Sequence, residues 1–86
     1  MRFVDQPVTV ELHLNPDGRP TPRALTWAGQ RVAITDLGRQ WEEKKDGGIA
    51  RHYLIATAGG NRFELVHHVD AGCWRVIRTW ECDLAT

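Results

Sequence analysis

Arg62-Phe-Glu-Leu-Val-His-His-Val-Asp-Ala-Gly-Cys-Trp-Arg-Val-Ile-Arg-Thr-Trp80 is the stretch that decides the fold class. Two β-rich runs flank Asp70-Ala71-Gly72, which is turn chemistry, and together they predict a β-hairpin. Side chains alternate across a strand, so Phe63, Leu65 and His67 share one face. On the second strand the same rule groups Trp74, Val76, Arg78 and Trp80.

The pattern continues upstream. Gly59-Gly60-Asn61 predicts a tight turn with positive φ, and residues 51–58 form the strand before it. Tyr53 and Ile55 lie on one side of that strand, Leu54 and Ala56 on the other. Val8, Val10, Leu12 and Leu14 alternate with polar residues, the signature of a half-buried strand. Asn15-Pro16-Asp17-Gly18 is a turn. Pro20 and Pro22 keep the next segment extended and out of a central ladder. Leu25 and Trp27 mark a second strand, closed by Ala28-Gly29-Gln30. Val32 and Ile34 mark a third that runs towards Leu37, where Gly38 predicts a bulge or bend. Residues 40–48 are too short for a stable helix and read as a charged strand end with a solvated loop.

These elements add up to an all-β protein: about six short antiparallel strands in a small, partly open barrel or a strongly curved sheet. With 86 residues the chain is one domain, 1–86. Trp27, Phe63, Leu65 and Val76 are the expected core. The strands at 51–58 and 73–80 carry apolar residues on both faces, and one barrel has one inside. The second face therefore needs cover, from the segment around Trp41, from the N-terminal segment or from another chain.

Eleven basic residues balance eleven acidic ones, so no surplus positive charge points to nucleic acid. Neutrality leaves room for a local basic face. Nine of the eleven cations are Arg, whose planar fork suits carboxylates and phosphates and stacks on aromatic rings. Neither a signal-peptide core nor a run of membrane-spanning length is present, which predicts a cytoplasmic protein with no membrane partner. Cys73 and Cys82 on one extended strand would sit roughly 30 Å apart, too far for a disulfide, and two free thiols are expected.

His67, His68, Cys73, Cys82, Asp70, His52 and His13 are metal-ligand types, but their spacing forms no ligand motif. His67 and His68 are adjacent on a strand and point to opposite faces. No metal and no cofactor are expected. Cys73 beside His67 or His68, with Asp70, resembles a nucleophile site only in composition. Activation would need a cation or a helix N-terminus beside the thiol, whereas Cys73 follows a hairpin turn with no helix start nearby, so no enzyme is expected.

Two binding readings follow. Trp and Arg dominate interface hot spots, and the two-faced strands favour a protein partner or a homo-oligomer. Trp41, Arg51, Tyr53, Arg75 and Arg78 are its candidate contacts, with Trp41 and Tyr53 as aromatic anchors. The alternative is a single-stranded nucleic-acid binder using Arg51, Arg62, Arg75, Arg78 and Trp80, because small barrels stack bases on aromatics beside cations.

The motif order also carries a resemblance. Leu25-Thr-Trp-Ala-Gly-Gln-Arg-Val32 is followed by Gln40-Trp-Glu-Glu43, Arg51-His-Tyr53, Gly60-Asn-Arg-Phe-Glu-Leu65 and Gly72-Cys-Trp-Arg-Val76. Over roughly residues 8 to 80 this resembles a family of short uncharacterised bacterial proteins. Similar segments are attached to catalytically inactive relatives of error-prone DNA polymerases. The resemblance implies an accessory role near DNA repair and transfers no catalytic residue. The chain departs from the family pattern at His67-His68.

Overall fold

The computed structural model describes residues 1–81 and contains six strands. They are β1 (Arg2–Leu14), β2 (Pro20–Trp27), β3 (Gln30–Lys45), β4 (Gly48–Thr57), β5 (Arg62–His68) and β6 (Cys73–Trp80). Every pairing is antiparallel, each strand lies beside the next, and β6 returns to β1 to close the barrel.

Two strands are much longer than the sequence pattern suggests, because each serves two neighbours. β1 pairs with β6 over residues 2–8 and with β2 over residues 9–14. β3 pairs with β2 over residues 30–33 and with β4 over residues 34–45. The N-terminal segment is thus strand, and the charged segment around Trp41 continues β3 instead of looping away.

The turns follow their residues. Ala28 and Gly29 both have positive φ, 51° and 80°, and join β2 to β3 as a two-residue hairpin. Gly59 and Gly60 also take positive φ between β4 and β5. At the other end of the barrel, the Ile49 N–H donates to the Asp70 carboxylate at 3.1 Å, which ties two neighbouring hairpins together.

Leu25, Tyr53, Ile55, Phe63, Leu65, Trp74 and Val76 form the core, with Val4, Val8, Val10, Trp27, Ile34 and Leu37 packed against them. Trp27 meets Phe63 edge-on, with ring centroids 5.3 Å apart. Burying each such large side chain contributes about 1.5–3 kcal/mol. All four expected core residues belong to this interior, Trp27 as a half-buried member.

Three expectations about faces need correction. In β6, Leu65 pairs with Val76 but Glu64 pairs with Arg78, so Ile77 is an extra residue. Beyond this bulge the faces exchange: Thr79, opposite Phe63, is inside at 1% exposure, and Arg78 and Trp80 point outwards. Tyr53 is core rather than a surface anchor, because it follows the inward alternation of Ile55. Leu12 and Leu14 are exposed although they continue the face of Val8 and Val10, because the β1–β2 hairpin runs beyond the barrel wall.

Candidate functional site

Cross-strand pairing sorts the outer face of β3–β6 into rows. One row holds Asp36, Ala56, Arg62 and Trp80. The next holds Leu54, Glu64, Arg78 and Phe3. A third holds Trp41, His52, Val66 and Arg75. The middle of this face sets Ala56, Leu54 and Val66 around the buried His52 and Glu64, and its margins carry indoles and guanidinium groups.

Part of the second apolar face is covered from within the chain. Trp41 lies flat on His52, with centroids 4.9 Å apart and planes 9° from parallel. His52 and Glu64 are both buried, and their Nδ1 and Oε2 are 3.2 Å apart. An ionised Glu64 can only accept, so it accepts the hydrogen bond from the His52 tautomer protonated at Nδ1. Arg78 reaches the other Glu64 oxygen at 3.3 Å. His52 Nε2 lies 3.4 Å from Glu43, outside hydrogen-bond geometry. Glu64 is therefore held between a histidine and an arginine, which offsets the cost of burying a carboxylate.

Arg75 is also occupied. Its Nε donates to the Asp5 carboxylate at 2.7 Å, and its Nη2 donates to the Asp5 carbonyl at 2.9 Å. Asp5 has φ of 44° inside a β1 bulge, a shape that Asp tolerates better than most residues.

Arg51 and Tyr53 lie on the opposite face. Burial pushes the Tyr53 phenol up from its ordinary pKa. Arg51 lies 3.5 Å from Glu42, yet its Nε is buried without a hydrogen-bond partner. His67, on the same inner face, lies flat on Trp74 with centroids 4.1 Å apart. Burial first, then the charges of Arg51 and His68, hold its imidazolium below the ordinary histidine pKa.

Two open clefts result. The first, about 350 Å³, runs between the β1–β2 hairpin and β3–β4. Asn15, Arg19 and Thr21 line one side, and Trp41, Arg51 and Tyr53 the other. The second, about 420 Å³, opens over Leu54 and Ala56 between Arg39, Arg62 and Trp80.

Trp41, Arg51 and Tyr53, three of the five expected partner contacts, thus meet in the first cleft. Arg75 and Arg78 lie elsewhere and are tied to carboxylates. Arg62, Arg75, Arg78 and Trp80 share the outer face, but Arg51 leaves that group. The sequence reading missed Arg39, which the bulge after Leu37 delivers to this region. The Gly38 bend was the available signal.

Cys73 is exposed at the start of β6, and Cys82 lies outside the described residues. Among the described residues no three His, Cys, Asp or Glu side chains come together as a metal set, and no helix is long and apolar enough to cross a membrane. Comparison with protein-family models, curated proteins and solved structures gives no match to this chain.

Proposed function

We propose that the protein is a non-enzymatic interaction module that holds an extended segment of a protein partner along the free edge of β3, beside Trp41. One observation carries this reading. From residue 34 to 45, β3 pairs with β4 on one side and with no described strand on the other, because β2 pairs with it only as far as Ala33. An open edge with unpaired backbone groups is a template for an added strand.

The edge is not uniformly available. Bulges interrupt its first half, between Ile34 and Asp36 and between Leu37 and Gln40. Bulges of this kind blunt an edge against pairing. Residues 40–45 run without interruption, and Gln40, Trp41 and Glu42 among them border the first cleft. There Arg51 lines the cleft, and Trp41 offers an indole for an apolar side chain. Leu14, 71% exposed on the hairpin across the cleft, supplies further apolar area.

A repair protein as source of the segment is what the family resemblance would add. A second copy offering its own β3 edge is the homo-oligomeric form of the same pairing.

The test selects binders from a library of extended peptides and maps them by backbone amide shifts. Perturbations centred on residues 40–44 and 19–21 are expected, with Trp41→Ala weakening binding about tenfold or more, as for an aromatic hot spot. Light scattering over a concentration series separates self-pairing from a foreign partner. Binders that perturb only residues remote from β3, or that ignore Trp41→Ala, would overturn the reading.

A further inference from the structure

The second cleft is built from different parts and carries its own conclusion. Arg62 and Trp80 are direct cross-strand partners, and Ala56 stands beside Arg62 on the other side. The β6 bulge at Ile77 puts Trp80 outside. The β3 bulge frees Arg39, whose guanidinium carbon stands 5.5 Å from the Trp41 ring centroid. Gly38 permits the close packing beneath: a Cβ there would meet the Leu54 carbonyl oxygen at 3.2 Å.

The charges at this cleft differ from those on the rest of the outer face. Arg75 and Arg78 have carboxylate partners, at 2.7 and 3.3 Å. Among the described residues, Arg39 and Arg62 have none within ion-pair distance. Two unneutralised guanidinium groups, on β3 and β5, thus border an apolar floor of Leu54 and Ala56, with the Trp80 indole beside Arg62. Asp36 is the one carboxylate among the described residues that line the cleft. It weakens the field for a bare anion, but it can accept from an exocyclic amine.

We infer that this cleft binds single-stranded nucleic acid, one base stacking on Trp80 while Arg62 beside it and Arg39 across the floor hold successive phosphates. Stacking needs an exposed base face, which a single strand offers and a duplex hides. The cleft volume of about 420 Å³ falls within the range of small-ligand sites. Arg39 stands between this cleft and Trp41, so a strand here would pass beside the protein-docking edge without using it.

The experiment is fluorescence anisotropy with a labelled oligothymidylate, run on the full chain. Two phosphate contacts predict about sevenfold weaker binding when salt rises from about 50 to 200 mM. Arg39→Gln and Arg62→Gln should each remove about half of that salt dependence. Trp80→Leu should weaken binding about tenfold and leave the salt dependence in place. Arg31→Gln removes the same charge from a residue paired with Glu11 away from the cleft, and should change little. Arg39 sits on an exposed bulge, so its variant keeps the test decisive even if Trp80→Leu does not fold.

Absence of binding at low salt would overturn the inference. So would Arg31→Gln weakening binding as much as Arg62→Gln, or a duplex binding as well as the single strand. Loss of binding in Trp41→Ala with none in Trp80→Leu would assign the oligonucleotide to the β3 edge and overturn it equally.

Discussion

The wall formed by β4, β5 and β6 and the projecting β1–β2 hairpin carry the same alternating pattern with opposite results. Leu65 in the wall is fully buried, whereas Leu14 on the hairpin is 71% exposed. Leu65 stands between Glu64 and Val66, and Leu14 between His13 and Asn15, each on the face that alternation marks as apolar. The wall strands have a partner on each side and an opposing wall to pack against. The hairpin tip pairs only within itself, and an open cleft separates it from β3–β4. Periodicity therefore reports which face is apolar, and topology decides whether that face is covered.

The strongest challenge to this contrast is a pair of truncations. Leu65→Ala should cost about 2–5 kcal/mol, the range for a large-to-small change in a packed core. Urea unfolding measures it, and a cost below 1 kcal/mol would mean that the wall is not the packed region described here. Next in size is Gly48→Ala, at about 2 kcal/mol. Gly48 has φ of 127°, and a Cβ there would collide with the Asp70 carboxylate that accepts the Ile49 N–H. Near-wild-type thermal stability in that variant would show that the two hairpin ends are not rigidly tied.

A smaller effect distinguishes the inner face by pH. Burial lowers the pKa of His67 in the fold, so the unfolded chain takes up the proton first as pH falls. Stability is then complete above the unfolded pKa of about 6.5 and declines as pH drops from there through the lower folded value. Unfolding midpoints at pH 7.5, 6.5 and 5.5 should show this decline, and His67→Gln should flatten it. Parallel profiles for the two proteins would remove His67 as the cause. The smallest effect belongs to the hairpin. Leu14→Ala should change stability by no more than about 0.5 kcal/mol, and a loss matching that of Leu65→Ala would erase the contrast altogether.

Much of the barrel was legible because turn residues and period-2 runs are local signals. Gly18, Gly29, Gly59 and Gly60 all sit at positive φ where turns were expected. Phe63, Leu65 and Val76 were readable as core for the same reason. Bulges defeated the rest. Ile77 looks like any β-branched strand residue, yet its extra position reverses the faces of Thr79 and Trp80. The bulge at Gly38 was foreseeable, but not that it would bring Arg39 beside Trp41. Tyr53 was misplaced because two apolar faces on β4 gave no local means of choosing between them. The pairing of His52 with Glu64 depends on register between strands, which no single segment encodes.

The bond between Arg75 and Asp5 joins residues 70 positions apart, at the seam where the last strand meets the first. That seam has a kinetic consequence. A ring of this kind cannot be completed until β6 has followed β1 to β5 out of the ribosome. Until then the earliest strand waits with Val4 and Val8 uncovered. Such distant partners meet late and slowly, so β1 stays open to proteases and chaperones until β6 arrives.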